Sequence, residues 1–229
     1  MGRLEISGVL LDMDGTIIDS ENYWATAERE LVESFGGSWS KRDGLSLVGS
    51  SLENAAIKLR AAGVQRGIAE IIEFMSNRVI EQIRQSVPWR IGVMDFLRSL
   101  KEAGVACALV TNSTRDIADQ IAQALDKKIG SRFFRAIVCS QDIDRPKPDP
   151  AAYVKATQLI GTTADRVVAI EDSAPGAKSA CASGAITIGV PLHKNIPEES
   201  VHALWESFAG KTFEDVQQVW LKHREGIPR

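Results

Sequence analysis

The sequence predicts a doubly wound α/β fold, a parallel-sheet core carrying an inserted block of helices. Two observations carry this. Short apolar strands alternate with amphipathic helices from Met94 to Val190, whereas the stretch from about Ser20 to Val87 has helical periodicity and almost no strand signal. The division that follows is an α/β core formed by residues 1–17 and 89–229 and a helical cap over 18–88.

The first strand is read from Gly8 to Met13, GVLLDM, a short apolar run closed by Asp-Gly, as expected of a parallel strand buried on both faces. Helices are then expected over Ser20–Phe35, Leu52–Ala62 and Ile68–Val87, with Gly36-Gly37, Asp43-Gly44 and Gly63 as breaks. Pro88 and Gly92 bracket the return to the core. Four further strands follow: Val105–Val110, Ala136–Cys139, Val167–Ile170 and Ala185–Val190. Each ends in polar or turn residues. The helices between them are read over Val93–Ala103, Thr114–Leu125, Pro150–Ile160 and Ala174–Ser183, with Gly104, Gly161 and Gly184 where C-terminal caps belong. Asp149 and Pro150 match an N-cap followed by the first helical residue. The tail from Pro197, with Trp205 and Trp220, reads as one or two packing helices.

Composition excludes several classes. With 44% hydrophobic and 25% charged residues, disorder and membrane spanning are poor descriptions. A net charge of −3 gives no global attraction to nucleic acid or to an anionic bilayer. Cys107, Cys139 and Cys181 form neither a CxxC pair nor a zinc-ligand spacing and are expected as buried small hydrophobes in a reducing compartment. The apolar run near the N-terminus is too short for a signal peptide or a span, and Gly2 lacks the Ser or Thr that myristoylation requires at position 6, so the expected location is the cytoplasm.

Four segments carry the chemistry, three of them at strand ends. Asp12 and Asp14, two residues apart at the mouth of a buried strand, place two carboxylates about 7 Å apart on one side of an extended chain. Such a pair is costly to bury without a cation. Thr111 and Asn112 either cap the helix that follows or offer a hydroxyl, an amide and backbone N–H groups to a phosphate; Ser113 and Thr114 are further cap candidates. Lys147, between prolines in RPKPDP, is either a solvated surface lysine or an ammonium aimed by a stiff loop. Glu171 and Asp172 follow an apolar strand directly, and hard oxygen ligands at neighbouring strand ends describe a magnesium site. Ligands of open α/β sheets bind beyond the carboxyl ends of the strands, where these residues fall. His193, His202 and His223 come after the last of these motifs without metal spacing, which suits core or surface roles.

Taken in order, Asp12-Met13-Asp14-Gly15-Thr16, Thr111-Asn112-Ser113, Lys147 in KPDP, and Glu171-Asp172-Ser173 with Gly176 resemble the four motifs of the haloacid dehalogenase superfamily, over a span from Gly8 to Val190. The KPDP form and the small helical cap resemble the branch of phosphoglycolate-type phosphatases and β-phosphoglucomutase. The resemblance implies a Rossmann-like core and a phosphomonoester hydrolase for small phosphorylated metabolites, a monomer or small homo-oligomer. It makes Asp12 the nucleophile that forms an aspartyl-phosphate and Asp14 the acid and base. It places Mg2+ on the Asp12 carboxylate, the Asp14 backbone carbonyl and Asp172, with Glu171 as a ligand or as a group behind one, and gives Thr111, Asn112 and Lys147 to the phosphoryl group. Four carboxylates against one lysine leave about three excess negative charges, so a substrate dianion needs the divalent cation. The loop Gly44–Ser51 resembles the family's specificity loop. The mutase uses a histidine where this chain has Trp24, which weighs against that alternative. A non-catalytic metal-binding regulatory module is the other alternative, one that would not need Asp14. Trp24 is the cap residue expected to stack on a sugar or base.

Overall fold

The computed structural model describes residues 6–224; Gly2 and the outermost residues of the two core segments lie outside the described residues. In chain order the elements are β1 (Gly8–Leu11), α1 (Glu21–Ser34), α2 (Lys41–Leu47), α3 (Leu52–Ala61), α4 (Ile68–Gln85), α5 (Val93–Glu102), β2 (Ala106–Val110), α6 (Arg115–Ile129), β3 (Phe134–Val138), α7 (Ala151–Leu159), β4 (Val167–Glu171), α8 (Ala174–Ala182), β5 (Ile186–Gly189), β6 (Ala203–Leu204) and α9 (Phe213–Arg224). The sheet is parallel throughout, in the order β3-β2-β1-β4-β5-β6.

Each central strand feeds two layers, because successive side chains point to opposite faces. Val9 and Leu11 of β1 pack into a cluster with Phe96, Leu97, Ile117 and Trp220. Leu10 points the other way, among Tyr153, Ala156 and Ala180. Burial of each large apolar side chain stabilises by about 1.5–3 kcal/mol, so unbroken apolar runs are what a strand covered on both faces demands. A separate cluster holds the insertion together, built from Ala27, Leu31, Leu47, Ala56, Leu59, Ile71 and Met75. Helix α4 serves both: its first half enters that cluster, while Val79, Ile80 and Ile83 belong to the core.

The two connections into the insertion run side by side. Asp19 N–H donates to the Pro88 carbonyl (2.8 Å), and Arg90 N–H to that of Ile17 (3.1 Å).

Four expectations are corrected. Asp43-Gly44 does not break the chain but lies inside α2, where Ser40 and Asp43 form a reciprocal capping box. Pro150 is itself the N-cap of α7, and Asp149 supports the helix from one residue earlier by accepting the Ala151 N–H at 3.0 Å. The tail adds the two-residue strand β6 before its helix, and Cys181 is half-buried rather than fully inside. No helix among the described residues is long and apolar enough to cross a membrane.

Candidate active site

Strand order reverses at β1, which has β2 on one side and β4 on the other. The carboxyl ends of these three strands deliver Asp12, Thr111 and Glu171-Asp172 to one place. After Leu11 the chain turns tightly, with the N–H groups of Thr16, Ile17 and Ile18 directed at the Met13 carbonyl. Gly15 makes the turn possible. Its φ is +82°, and a Cβ there would fall 2.0 Å from Asp172 Oδ2.

Asp12 is 6% exposed and tied at both oxygens: Lys147 Nζ donates to Oδ1 at 2.7 Å, and Thr16 Oγ1 to Oδ2 at 2.7 Å. Lys147 also donates to Glu171 Oε1 (2.6 Å) and to the Val110 carbonyl (2.9 Å). The Asn112 side-chain oxygen accepts the Lys147 backbone N–H at 3.2 Å, and the Lys147-Pro148 peptide is cis. Lys147 is therefore a buried, aimed ammonium rather than a solvated one.

Asp14 has a different set of partners. Ser20 Oγ (2.5 Å) and Trp24 Nε1 (3.1 Å) donate to Oδ1, and Ser113 Oγ (2.6 Å) and Thr111 Oγ1 (3.3 Å) to Oδ2. The Trp24 indole N–H thus holds a carboxylate of the site. Ser113 serves the site as well, and Thr114 is the N-cap of α6 without using its side chain.

Asp12, Glu171 and Asp172 present oxygens within 4.8 Å of one another, all three buried. Asp14 is not in that group; its carboxylate faces the serines and Trp24. Burial is the main cause that raises the Asp12 carboxyl to about 7, with the Glu171 charge adding and Lys147 opposing. Asp172 is also raised well above its ordinary value, by burial and then by Asp12 and Glu171. Among the described residues Asp172 makes no hydrogen bond or ion pair, although it is 4% exposed. Burial alone would lower Lys147, but the charges of Asp12 and Glu171 hold it above its ordinary value. A buried trio of hard oxygen donors, one lacking any donor of its own, fits a divalent cation.

Four contributors have no site role in the sequence analysis, Ser20 on Asp14 being the first. Tyr153 donates to Glu171 Oε1 at 2.7 Å from α7. Arg90, 8% exposed, donates to the carbonyls of Gly15 (2.6 Å) and Val190 (2.7 Å), clasping the turn after β1 to the end of β5. His193, read as a core or surface residue, lines the same cavity, its Nε2 2.8 Å from Asp19 Oδ1. Only Tyr153 has a signal, a lone aromatic six residues after the proline-bounded lysine.

The family model described as haloacid dehalogenase-like hydrolase matches residues 9–190. Hexitol phosphatase B of Escherichia coli K12 is 26% identical over 84% of this chain and 88% of its own length. Phosphoglycolate phosphatase of Pseudomonas putida is 29% identical over 82% and 70%. Among solved structures, β-phosphoglucomutase of Clostridium difficile superposes with a TM-score of 0.80 at 18% identity, covering 95% of this chain and 98% of that one, which shows a shared fold.

Proposed function

The chain belongs to the haloacid dehalogenase-like hydrolases, and from that membership we propose that it is a magnesium-dependent phosphatase that hydrolyses a small phosphorylated metabolite through an aspartyl-phosphate on Asp12. The observation that carries this reading is the division of labour between two neighbouring carboxylates. Asp12 is held by a lysine and a threonine, and Asp14 by two serines, a threonine and an indole, while both line one cavity.

In the first half-reaction an Asp12 oxygen attacks phosphorus, the bond from phosphorus to the ester oxygen breaks, and Asp14 gives its proton to the departing alcohol. Thr111, Asn112 and Lys147 are assigned to the transferring phosphoryl group. The Lys147 ammonium also opposes the desolvation that raises the Asp12 carboxyl. In the second half-reaction Asp14 takes a proton from water, the water oxygen attacks phosphorus, and Asp12 is released. Asp12, the Asp14 backbone carbonyl, Glu171 and Asp172 would hold the cation. Magnesium bound there supplies charge neutralisation for an incoming phosphate dianion. Residues 18–88 are assigned as the cap that closes this chemistry off from water. The free cysteines support a cytoplasmic setting.

Steady hydrolysis of p-nitrophenyl phosphate and of a panel of phosphorylated metabolites is expected with magnesium and is lost with EDTA. Asp12→Asn abolishes turnover with an unchanged circular dichroism spectrum. Substantial activity in that variant, free of contaminating phosphatase, would overturn the mechanism. The mutase alternative finds at position 24 an indole N–H bonded to Asp14, a group that cannot relay a proton.

A further inference from the structure

Past the aspartates the cavity continues into the inserted helices, where Ala25, Leu47, Leu52, Ala55 and Met75 form its walls. One carboxylate interrupts this apolar end. Glu28 of α1 also lines the cavity, yet it is only 4% exposed. Its Oε2 accepts the Trp39 indole N–H at 3.0 Å, and among the described residues it has no other hydrogen-bond donor and no ion pair. Beside it α2 passes so closely that a Cβ on Gly44 would lie 3.3 Å from Oε2. Burial accordingly raises the Glu28 carboxyl to about 7, with the Trp39 hydrogen bond opposing and Glu21 adding.

A carboxyl group buried with one donor is left with unfilled acceptor capacity. Once the group is ionised, as it is above about pH 7, that capacity would be filled by substrate hydroxyls reaching that depth, whereas a second phosphate or carboxylate would bring anion against anion in a poorly screened space. The surrounding methyl and methylene groups suit the C–H surface of a carbon chain or ring. We propose that Glu28 is the specificity-determining residue of this site, selecting monophosphates of neutral polyols or sugars by accepting their hydroxyl hydrogens and turning away substrates that carry a second anionic group. This rests on the phosphatase reading above.

The test compares kcat/KM for sorbitol 6-phosphate, 2-phosphoglycolate and fructose 1,6-bisphosphate, with p-nitrophenyl phosphate as a reference that does not depend on the leaving group's hydroxyls. The unmodified enzyme should favour sorbitol 6-phosphate over both substrates that carry a second anionic group by at least a hundredfold. Glu28→Gln, which can still accept from Trp39, should reduce that preference at least tenfold, mostly through KM. Glu28→Asp, which keeps the charge but shortens its reach, should also reduce it and provides the measurement if the glutamine variant fails to fold. Turnover of p-nitrophenyl phosphate together with a preference for phosphoglycolate or the bisphosphate overturns the assignment, as does an unchanged preference in both variants. Absence of turnover on every substrate, the reference included, overturns the hydrolase reading and this one with it.

Discussion

At Gly176 the usual preference for alanine inside a helix is inverted by a single neighbour. Gly176 lies in the first turn of α8, where replacing glycine by alanine ordinarily stabilises by about 0.5–1 kcal/mol. Here a Cβ would fall 2.0 Å from Glu171 Oε2 and 2.1 Å from Oε1, too close for any rotamer that leaves Glu171 on Lys147 and Tyr153. Gly176→Ala is therefore expected to lower kcat at least tenfold and to depress rather than raise the melting temperature, read by steady-state kinetics and by thermal unfolding. Tyr153→Phe is milder. It removes one donor from a buried carboxylate and leaves Lys147 in place, which costs about 1–3 kcal/mol in thermal unfolding, and full retention of stability would show that the Glu171 oxygen does not need it. The contrast between residues that the sequence discloses and those it hides has one origin. Asp12, Thr111, Glu171 and Asp172 stand at the ends of apolar strands, so their placement follows from local pattern. Arg90 reaches the site through a contact with backbone 75 residues away, and a lone arginine in a linker carries no mark of it; Trp24 is singled out by sequence as an aromatic near the site, but its hydrogen bond to Asp14, ten residues back, is not legible there.

Among the elements, α2 shows how two local signals can compete. Asp-Gly favours a turn, which is why the break is expected there, but Ser40 three residues before Asp43 is also a capping box. The box wins because it satisfies two backbone donors at once. Ser40 Oγ accepts the Asp43 N–H at 3.3 Å, and Asp43 Oδ2 accepts the Ser40 N–H at 2.8 Å. The helix also buries Leu47 in the insertion's own cluster. Ser40→Ala should cost about 1 kcal/mol of local stability, seen as roughly fivefold faster hydrogen exchange at the amides of α2, while exchange in β1 and β4 stays as it was. Equal acceleration in the strands would mean that α2 unfolds only with the whole chain. The longer helices are legible because their apolar positions repeat over several turns, and three shorter ones, α5, α7 and α8, are legible from the glycines at 104, 161 and 184 that follow them, all with positive φ. Strand β6 escaped because two residues give no periodicity to read.

For the molecule as a whole, the alternation of strand and helix was enough to reveal the layered core, whereas the sharing of α4 between core and insertion depends on which face each half of one long amphipathic helix meets. Met75 of α4 lines the cavity that also holds Glu28, whose burial there has a consequence for stability against pH. The Glu28 carboxyl is raised to about 7 in the folded chain, against about 4.3 for an exposed glutamate. Between those values the folded state holds a proton that the unfolded state has released, so this contribution is present in full below about pH 4 and is lost as pH rises through about 7. Its size is on the order of 4 kcal/mol at most. Asp12 and Asp172, also raised, act with the same sign, so a pH profile of the unmodified protein alone cannot isolate Glu28. The difference between Glu28→Gln and the unmodified protein can, because the other carboxyl groups are common to both. Measured without divalent cation, the melting temperature of the glutamine variant should gain on the unmodified protein by several degrees between pH 5 and pH 8. A difference that stays constant over that range would mean that water or the Trp39 hydrogen bond already compensates the buried charge, leaving Glu28 an ordinary carboxylate in the folded chain.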